Sequence, residues 1–272
     1  MNLAHTMKRL SRVTLDRSLG AYQRLAAKSW TDSGSFYCPV CQHSAKRFLP
    51  YGDPPRAFAK CPTCGSLERH RLDWLLFEKH TDLFSGKPLR MLHVAPEAFL
   101  AERFKALPNL DYLSADLYGR QAMVAMDITQ INYPDNSFSV IYCSHVLEHV
   151  EEDRRAIQEF FRVLKPGGWA LLQVPITVQK TYEDPSIRDP EERHKHFGQR
   201  DHVRRCGPDY IERMREAGFD AQSLRATDLV TTEDCIRLGF QPDRLLFFCI
   251  KPVTVQQPSA TAESAQPEEA DV

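Results

Sequence analysis

FSVIYCSHVLEHVEEDRRAIQEFFRVLKPGGWALLQVP, residues Phe138 to Pro175, decides how this chain folds. Phe138–Ser144 is an apolar run of strand length that ends in the polar cluster Cys143-Ser144-His145. A helix follows, with Glu151, Glu152 and Asp153 near its start, where acids suit the macrodipole, and Lys165 at its end. Its apolar positions Ile157, Phe160, Phe161 and Leu164 keep a 3.6-residue period, and Pro166-Gly167-Gly168 stops it. Trp169–Val174 is a second apolar strand. Strand, helix, strand in that order is an α/β unit, and the polar cluster sits where such units meet a ligand, at the strand's carboxyl end.

The same alternation extends in both directions. Upstream, Leu89–Ala95 is a strand. Pro96 is placed to open a helix through about Leu107, because proline suits a first helical turn. Asp111–Asp116 and Met123–Asp127 are further strands. Ser66–His80 reads as a helix capped by Ser66, with Leu67, Trp74, Leu75 and Phe77 on its apolar side. Downstream, a helix over 208–217 and Gly218-Phe219 precede a weak strand, and Arg244–Lys251 is a firm last strand. The expected fold is α/β, a doubly wound, mostly parallel sheet.

Composition fits one sizeable core plus a small accessory module: 272 residues, 42% hydrophobic, 26% charged. A net charge of −1 gives no whole-chain argument for nucleic-acid binding. No run of about 18 apolar residues exists to span a membrane. The organisation expected is a basic helical extension over 1–34, a cysteine module over 35–66, a connecting helix over 67–88, a catalytic-type α/β domain over 89–252 and a disordered acidic tail over 253–272. The extension reads first as a helix packed on the protein, with a surface-binding arm or an organellar transit peptide as alternatives.

Four of the eight cysteines form two pairs, Cys38-Pro-Val-Cys41 and Cys61-Pro-Thr-Cys64-Gly65, separated by nineteen residues. Two short-spaced pairs let each turn aim two sulfurs at one tetrahedral metal, and Gly65 permits a tight turn. A structural zinc ribbon follows, in preference to a redox pair. Metal ligation rather than a disulfide framework places the chain in a reducing, cytoplasmic compartment. Lys46, Arg47, Arg56, Lys60, Arg69 and Arg71 surround the module, and Phe36, Tyr37, Phe48, Tyr51 and Phe58 could stack bases. The favoured role of those aromatic residues is to cover the ribbon and the helix behind it.

The strand ends define a candidate crevice. Asp116 comes twenty-one residues after Ala95, where an acid is placed to accept ribose hydroxyls. Asp127 would receive an adenine amino group, with Ile128 beside the base. Cys143, Ser144 and His145 open toward the reactive end. His145 is the first candidate general base, with an ordinary pKa near 6.5. A second polar cluster spans Glu191 to Arg204, and its functional candidates are His196, Gln199, Asp201 and His202. A metal-binding role for its histidines is a weaker alternative.

Taken in order, these segments resemble the class I S-adenosylmethionine-dependent methyltransferases over about Leu89–Pro252. The resemblance is carried by Asp116, Met126-Asp127-Ile128, Asn136–Ile141, Ser144-His145-Val146-Leu147-Glu148-His149 and Arg162-Val163-Leu164-Lys165-Pro166-Gly167-Gly168. It implies a seven-strand sheet with an antiparallel final hairpin, S-adenosylmethionine as cofactor and methyl transfer as the activity. It also implies a lid after the fifth strand. One departure stands out. The glycine-rich turn of such proteins is here Ala95-Pro96-Glu97, so Glu97 is expected to meet the cofactor's amino group. The acceptor expected is a small molecule or saccharide, with RNA or protein next. A different class of function is a non-catalytic adaptor, or a zinc-dependent nucleic-acid-binding protein, on a degenerate version of the same fold. Oligomeric state is not legible in the sequence.

Overall fold

The computed structural model describes residues 36–52 and 54–253. The expected extension over 1–34 and nearly all of the expected tail lie outside them. Two antiparallel hairpins come first: β1 (Phe36–Cys38) with β2 (His43–Ala45), and β3 (Leu49–Tyr51) with β4 (Arg56–Lys60). α1 (Glu68–His80) leads into β5 (Leu89–Val94), α2 (Ala98–Lys105), β6 (Leu110–Asp116), β7 (Val124–Ala125) and β8 (Phe138–Ser144). Next come α3 (Asp153–Val163) and β9 (Leu164–Gln173), then β10 (Tyr182–Glu183), α4 (Pro190–Phe197) and β11 (Arg204–Arg205). The last elements are α5 (Ile211–Glu216), β12 (Asp220–Arg225), α6 (Ala226–Leu229), α7 (Thr232–Leu238) and β13 (Leu245–Ile250).

Seven strands form one sheet in the order β12-β13-β9-β8-β5-β6-β7. Only β13 runs against its neighbours, so the antiparallel final hairpin is present. The central strands are apolar throughout because both faces are covered. Met91, Val140, Tyr142 and Leu171 face one core, shared with α1, α2 and the cysteine module. Leu92, Ile141, Cys143, Ala170 and Leu172 face the other, under α3 and α5. Chain order runs from β5 outward through β6 and β7, then restarts on β5's other side with β8. The crevice where strand order reverses therefore lies beyond Val94 and Ser144.

Several local expectations change. Ser66 does not cap α1: its hydroxyl lies 3.2 Å from the sulfurs of both Cys38 and Cys64, and Leu67 occupies the cap position. Pro96 stands before the first turn of α2, whose cap residue is Glu97. α3 ends at Val163, so Leu164 belongs to β9 and not to the helix. Lys165 does not close α3. The ammonium of Lys251, from just after β13, donates to the carbonyls of Phe161 and Leu164 at 2.8 and 2.7 Å. Residues 165–168 bulge out opposite the single residue Ser139. A Cβ on Gly168 would stand 2.7 Å from the Ser139 carbonyl, which is why that position is glycine.

The module and the sheet are clasped by Arg71. Its guanidinium is fully buried, and its five N–H groups go to five carbonyls: Leu238 at 2.6 Å, Ala59 at 3.0, Ser66 at 2.9, Phe58 at 3.3 and Gly239 at 3.0. The Phe48 ring lies 4.0 Å from its carbon. Leaving five buried carbonyls unpaired is costly, so Arg71→Met should lower unfolding free energy in urea by about 3–5 kcal/mol. Arg71→Lys, with three donors, should recover only part of it.

Candidate functional site

Ala95 follows β5 and takes the left-handed conformation, φ +50°, which glycine ordinarily fills in such turns. Its amide donates to the Ala115 carbonyl at 2.8 Å. Its side chain is exposed, so the methyl group does not close the turn. One position of the turn thus takes a left-handed conformation without glycine.

Glu97 is held by two histidines the sequence did not single out. The Leu67 amide donates to His70 Nδ1 at 3.1 Å, which fixes the proton on Nε2. Nε2 then donates to Glu97 Oε1 at 2.8 Å. His93 Nε2 lies 3.4 Å from Glu97 Oε2, but not in line for a hydrogen bond. His93 is itself held by the Tyr112 hydroxyl, 2.9 Å from Nδ1. Burial pushes the Glu97 carboxyl up, yet His70 and His93 more than offset this, so it stays ionised well below the usual carboxylate range. For His70 burial dominates, and it stays neutral with its pKa lowered.

Asp116 closes β6, and its carboxylate accepts amides from Tyr118 at 2.8 Å, Arg120 at 3.2 and Gln121 at 2.9. These bonds, the Gln121 amide first, lower its pKa. Asp127 lies two residues beyond β7, exposed, with Oδ1 accepting from the Thr129 amide and hydroxyl at 2.8 Å each. The Thr129 amide is the main cause of its lowered pKa. Ile128 is buried in the core beside it. Cys143 departs from expectation: alternation along β8 turns its side chain into the α3 core, fully buried, with burial raising the thiol pKa. His145 lines a cavity beside the strand ends, and Ser144 is the buried last residue of β8. The Ser144 hydroxyl is buried without a partner, and His145 takes a left-handed φ of +57°.

His145 Nδ1 lies 3.3 Å from Glu148 Oε1. Glu148 is buried at 1% exposure with Oε2 unpartnered. The structure adds His149 and His202 to this pair, their rings 4.6 Å apart and edge to face. Ligand atoms of Glu148, His149 and His202 lie within 4.8 Å of one another. Asp201 stands 3.3 Å from His149 Nδ1. Two links tie the 201–204 segment to the turn after β8. The Val203 amide donates to the Glu148 carbonyl at 2.9 Å, and Arg204 donates to the carbonyls of Leu147, Val150 and Glu151. His145, Asp201 and His202 thus belong to one cluster. His196 does not: it is on exposed α4, 3.2 Å from the Tyr182 hydroxyl. Burial lowers the pKa of both His145 and His202.

The four paired cysteines come together with sulfurs 3.7 Å apart for Cys38 and Cys64 and 3.8 Å for Cys41 and Cys61. A tetrahedron with metal–sulfur bonds of about 2.3 Å has edges of about 3.8 Å, whereas a disulfide needs about 2.05 Å. The donor set therefore fits a closed four-thiolate site. Two of the six basic residues around it are engaged within the protein. Arg71 is buried, and Arg56 pairs with Glu68 at 2.5 Å. Phe48 is buried too, and Phe36 stacks on Phe58. No helix among the described residues is long and apolar enough to cross a membrane.

Comparison with known proteins bears on this crevice. Residues 97–172 match the family model described as a methyltransferase domain. They contain Glu97, Asp116, Asp127 and the whole turn after β8. Phosphoethanolamine N-methyltransferase 1 of Arabidopsis thaliana is 33% identical over 93 residues, 34% of this chain and 18% of that protein. The chain thus spans under a fifth of that relative's length. Among solved structures, phosphoethanolamine N-methyltransferase 2 of Haemonchus contortus, in complex with S-adenosyl-L-methionine, has a TM-score of 0.47 and 16% identity. That alignment covers 71% of this chain and 54% of that one. An S-adenosylmethionine-dependent methyltransferase from Mesorhizobium loti has a TM-score of 0.46 and 16% identity, covering 66% and 97%.

The buried imidazoles set a pH dependence. Unfolded histidines take up protons near 6.5, while His70, His145 and His202 stay neutral to lower pH in the fold. The unfolded chain then binds more protons, so stability falls as pH drops through and below about 6.5. Melting temperatures measured between about pH 7.5 and 5.5 should decline, and His70→Gln, which keeps an N–H donor for Glu97, should flatten that slope.

Proposed function

We propose that the protein transfers a methyl group from S-adenosylmethionine to an acceptor lodged beside His145. One observation carries the reading: buried polar atoms without hydrogen-bond partners occur where β5 and β8 end, on the two strands that flank the strand-order reversal, namely Glu97 Oε2, Ser144 Oγ and Glu148 Oε2. Buried polar groups are ordinarily satisfied, so a set of orphans at one crevice marks a place built for a polar ligand. The cofactor, when bound, supplies an electrophilic methyl carbon on a positively charged sulfur. Glu97, kept ionised by His70 and His93, holds the ammonium of its methionine portion. Asp116, fixed by three loop amides, faces the ribose hydroxyls, and Asp127 with Ile128 borders the adenine. Cys143 acts only through its backbone.

On the acceptor side, His145 is neutral. With Nδ1–H directed at Glu148, its Nε2 is free to take the proton from an acceptor hydroxyl or amine. Glu148 orients the ring, and Asp201 and His202 close over the same turn through the Arg204 tether. Alignment of nucleophile and methyl group supplies on the order of 7–11 kcal/mol of barrier lowering, so a base adds to catalysis without being its main source. The acceptor is a small molecule or saccharide. The pairing of Arg56 and the burial of Arg71 weigh against RNA. The cysteine module binds a single structural zinc ion, which ties its two hairpins together and supplies folding energy to a segment with little core of its own.

Calorimetry with S-adenosylhomocysteine should show micromolar binding, weakened at least about tenfold by Glu97→Ala or Asp116→Ala, since each removes a charge-assisted contact. Absence of binding to the unmodified protein would overturn the reading. His145→Ala should leave that affinity within about threefold while lowering kcat by roughly 10²-fold with an acceptor that must lose a proton. Elemental analysis should find stoichiometric zinc. Its removal by a strong chelator, or Cys61→Ser, should lower the thermal midpoint and loosen the 36–66 segment in hydrogen exchange.

A further inference from the structure

Beside His145, a cavity of about 750 Å³ opens on the side of the crevice away from Asp116 and Asp127. Its walls come from Arg56 of β4, Arg69 and Asp73 of α1, Gln173 at the end of β9, Arg225 at the end of β12 and Arg244 just before β13. Register places Gln173, Leu246 and Arg225 along one sheet edge: Phe248 pairs with Leu171, and Arg225 with Leu245. The acceptor would have to occupy this edge, because the other half of the crevice carries the carboxylates assigned to the nucleoside.

The charge lining the cavity is lopsided. Four guanidiniums face two carboxylates, Asp73 and Asp243. Asp73 is fully buried, accepting from the Tyr142 hydroxyl at 2.8 Å and from Gln173 Nε2 at 3.4 Å. Burial, its main influence, raises its pKa to about 7. Arg56 is spoken for by Glu68. Arg69 and Arg244 are different. Both are half-buried, neither guanidinium donates a hydrogen bond or joins an ion pair among the described residues, and Nε of Arg69 is buried with no partner. Arg244 lies within electrostatic reach of Glu68 and Asp73, and also of Arg69 and Arg56. Two guanidiniums lining one half-buried wall, with donors unused, are the complement of a bidentate oxyanion. Arg71, two residues along α1 from Arg69, shows the contrast, since each of its donors is matched by a carbonyl.

We infer that the methyl acceptor carries an oxyanion, a phosphate, sulfate or carboxylate, held between Arg69 and Arg244 and remote from the atom that receives the methyl group beside His145. This deepens the methyl-transfer reading and rests on it for the word acceptor; the anion site itself does not depend on it.

The test is calorimetric titration of the zinc-loaded full-length protein with inorganic phosphate, first alone and then with saturating S-adenosylhomocysteine. Expected is saturable, millimolar binding that persists with the nucleoside present. It should weaken at least about tenfold in Arg69→Gln and in Arg244→Gln, survive better in the corresponding lysine variants, and remain unchanged in Lys87→Gln on the exposed surface. Circular dichroism of each variant separates lost binding from lost folding. No phosphate binding to the unmodified protein, or binding unaffected by both glutamine variants, overturns the inference. Binding that S-adenosylhomocysteine abolishes also overturns it, since the guanidiniums would then serve the cofactor's own carboxylate. Failure of S-adenosylhomocysteine to bind strikes the methyl-transfer reading instead, and the phosphate titration still decides the anion site.

Discussion

A buried guanidinium without a carboxylate partner organises this protein. Arg71 leaves α1 and reaches carbonyls of β4, of the turn into α1 and of the end of α7, three stretches that share no sheet. A charge in such surroundings is tolerable only when all its donors are matched, and here the backbone matches them. The cysteine module and the 226–240 helices are thereby fixed against the helix that supplies His70, Arg69 and Asp73. The module is thus a wall of the crevice and not an appendage. Cys38, Val40, Phe48 and Cys61 share one apolar cluster with Tyr142, Trp169 and Phe248 of the sheet.

From that placement follows a division of labour along the strand ends. On one side of the reversal, Glu97, Asp116 and Asp127 gather negative charge suited to an ammonium, a ribose and an amino group. On the other, Arg69 and Arg244 gather positive charge, with the neutral imidazole of His145 at the boundary. Because the hydrogen bond to Glu97 comes from the neutral His70, which donates to one oxygen without adding a full positive charge, the second oxygen stays free for a ligand. A lysine or arginine in place of His70 would have satisfied it permanently.

Much of the sheet could be read in the sequence. Apolar runs of six or seven residues ending in polar groups located β5, β6, β8 and β9, and the Arg244–Lys251 run located β13. The spacing of two cysteine pairs gave the four-sulfur cluster. Other features were not legible. Ser66 looked like a helix cap, since a serine before a helix usually is one, and only the approach of Cys38 from a distant hairpin redirected it. Cys143 looked like a crevice residue because it stands beside Ser144. Strand alternation turns it the other way, because successive side chains of β8 face opposite sides of the sheet. His196 shares a polar run with Asp201 and His202, yet α4 carries it off to Tyr182.

The order of apolar and polar runs, by itself, determined an α/β sheet with a crevice at the carboxyl ends of its strands. It also determined which four sulfurs come together, because strand length, helical period and pair spacing are local properties that neighbouring residues set. Only the tertiary structure decided which histidine meets which acid. His70 reaches Glu97 across twenty-seven residues, His149 meets His202 across fifty-three, and Arg69 comes to line a cavity with Arg244. Such pairings depend on how helices cross the sheet, and that crossing is fixed by burial of whole faces together with the carbonyls gathered around Arg71.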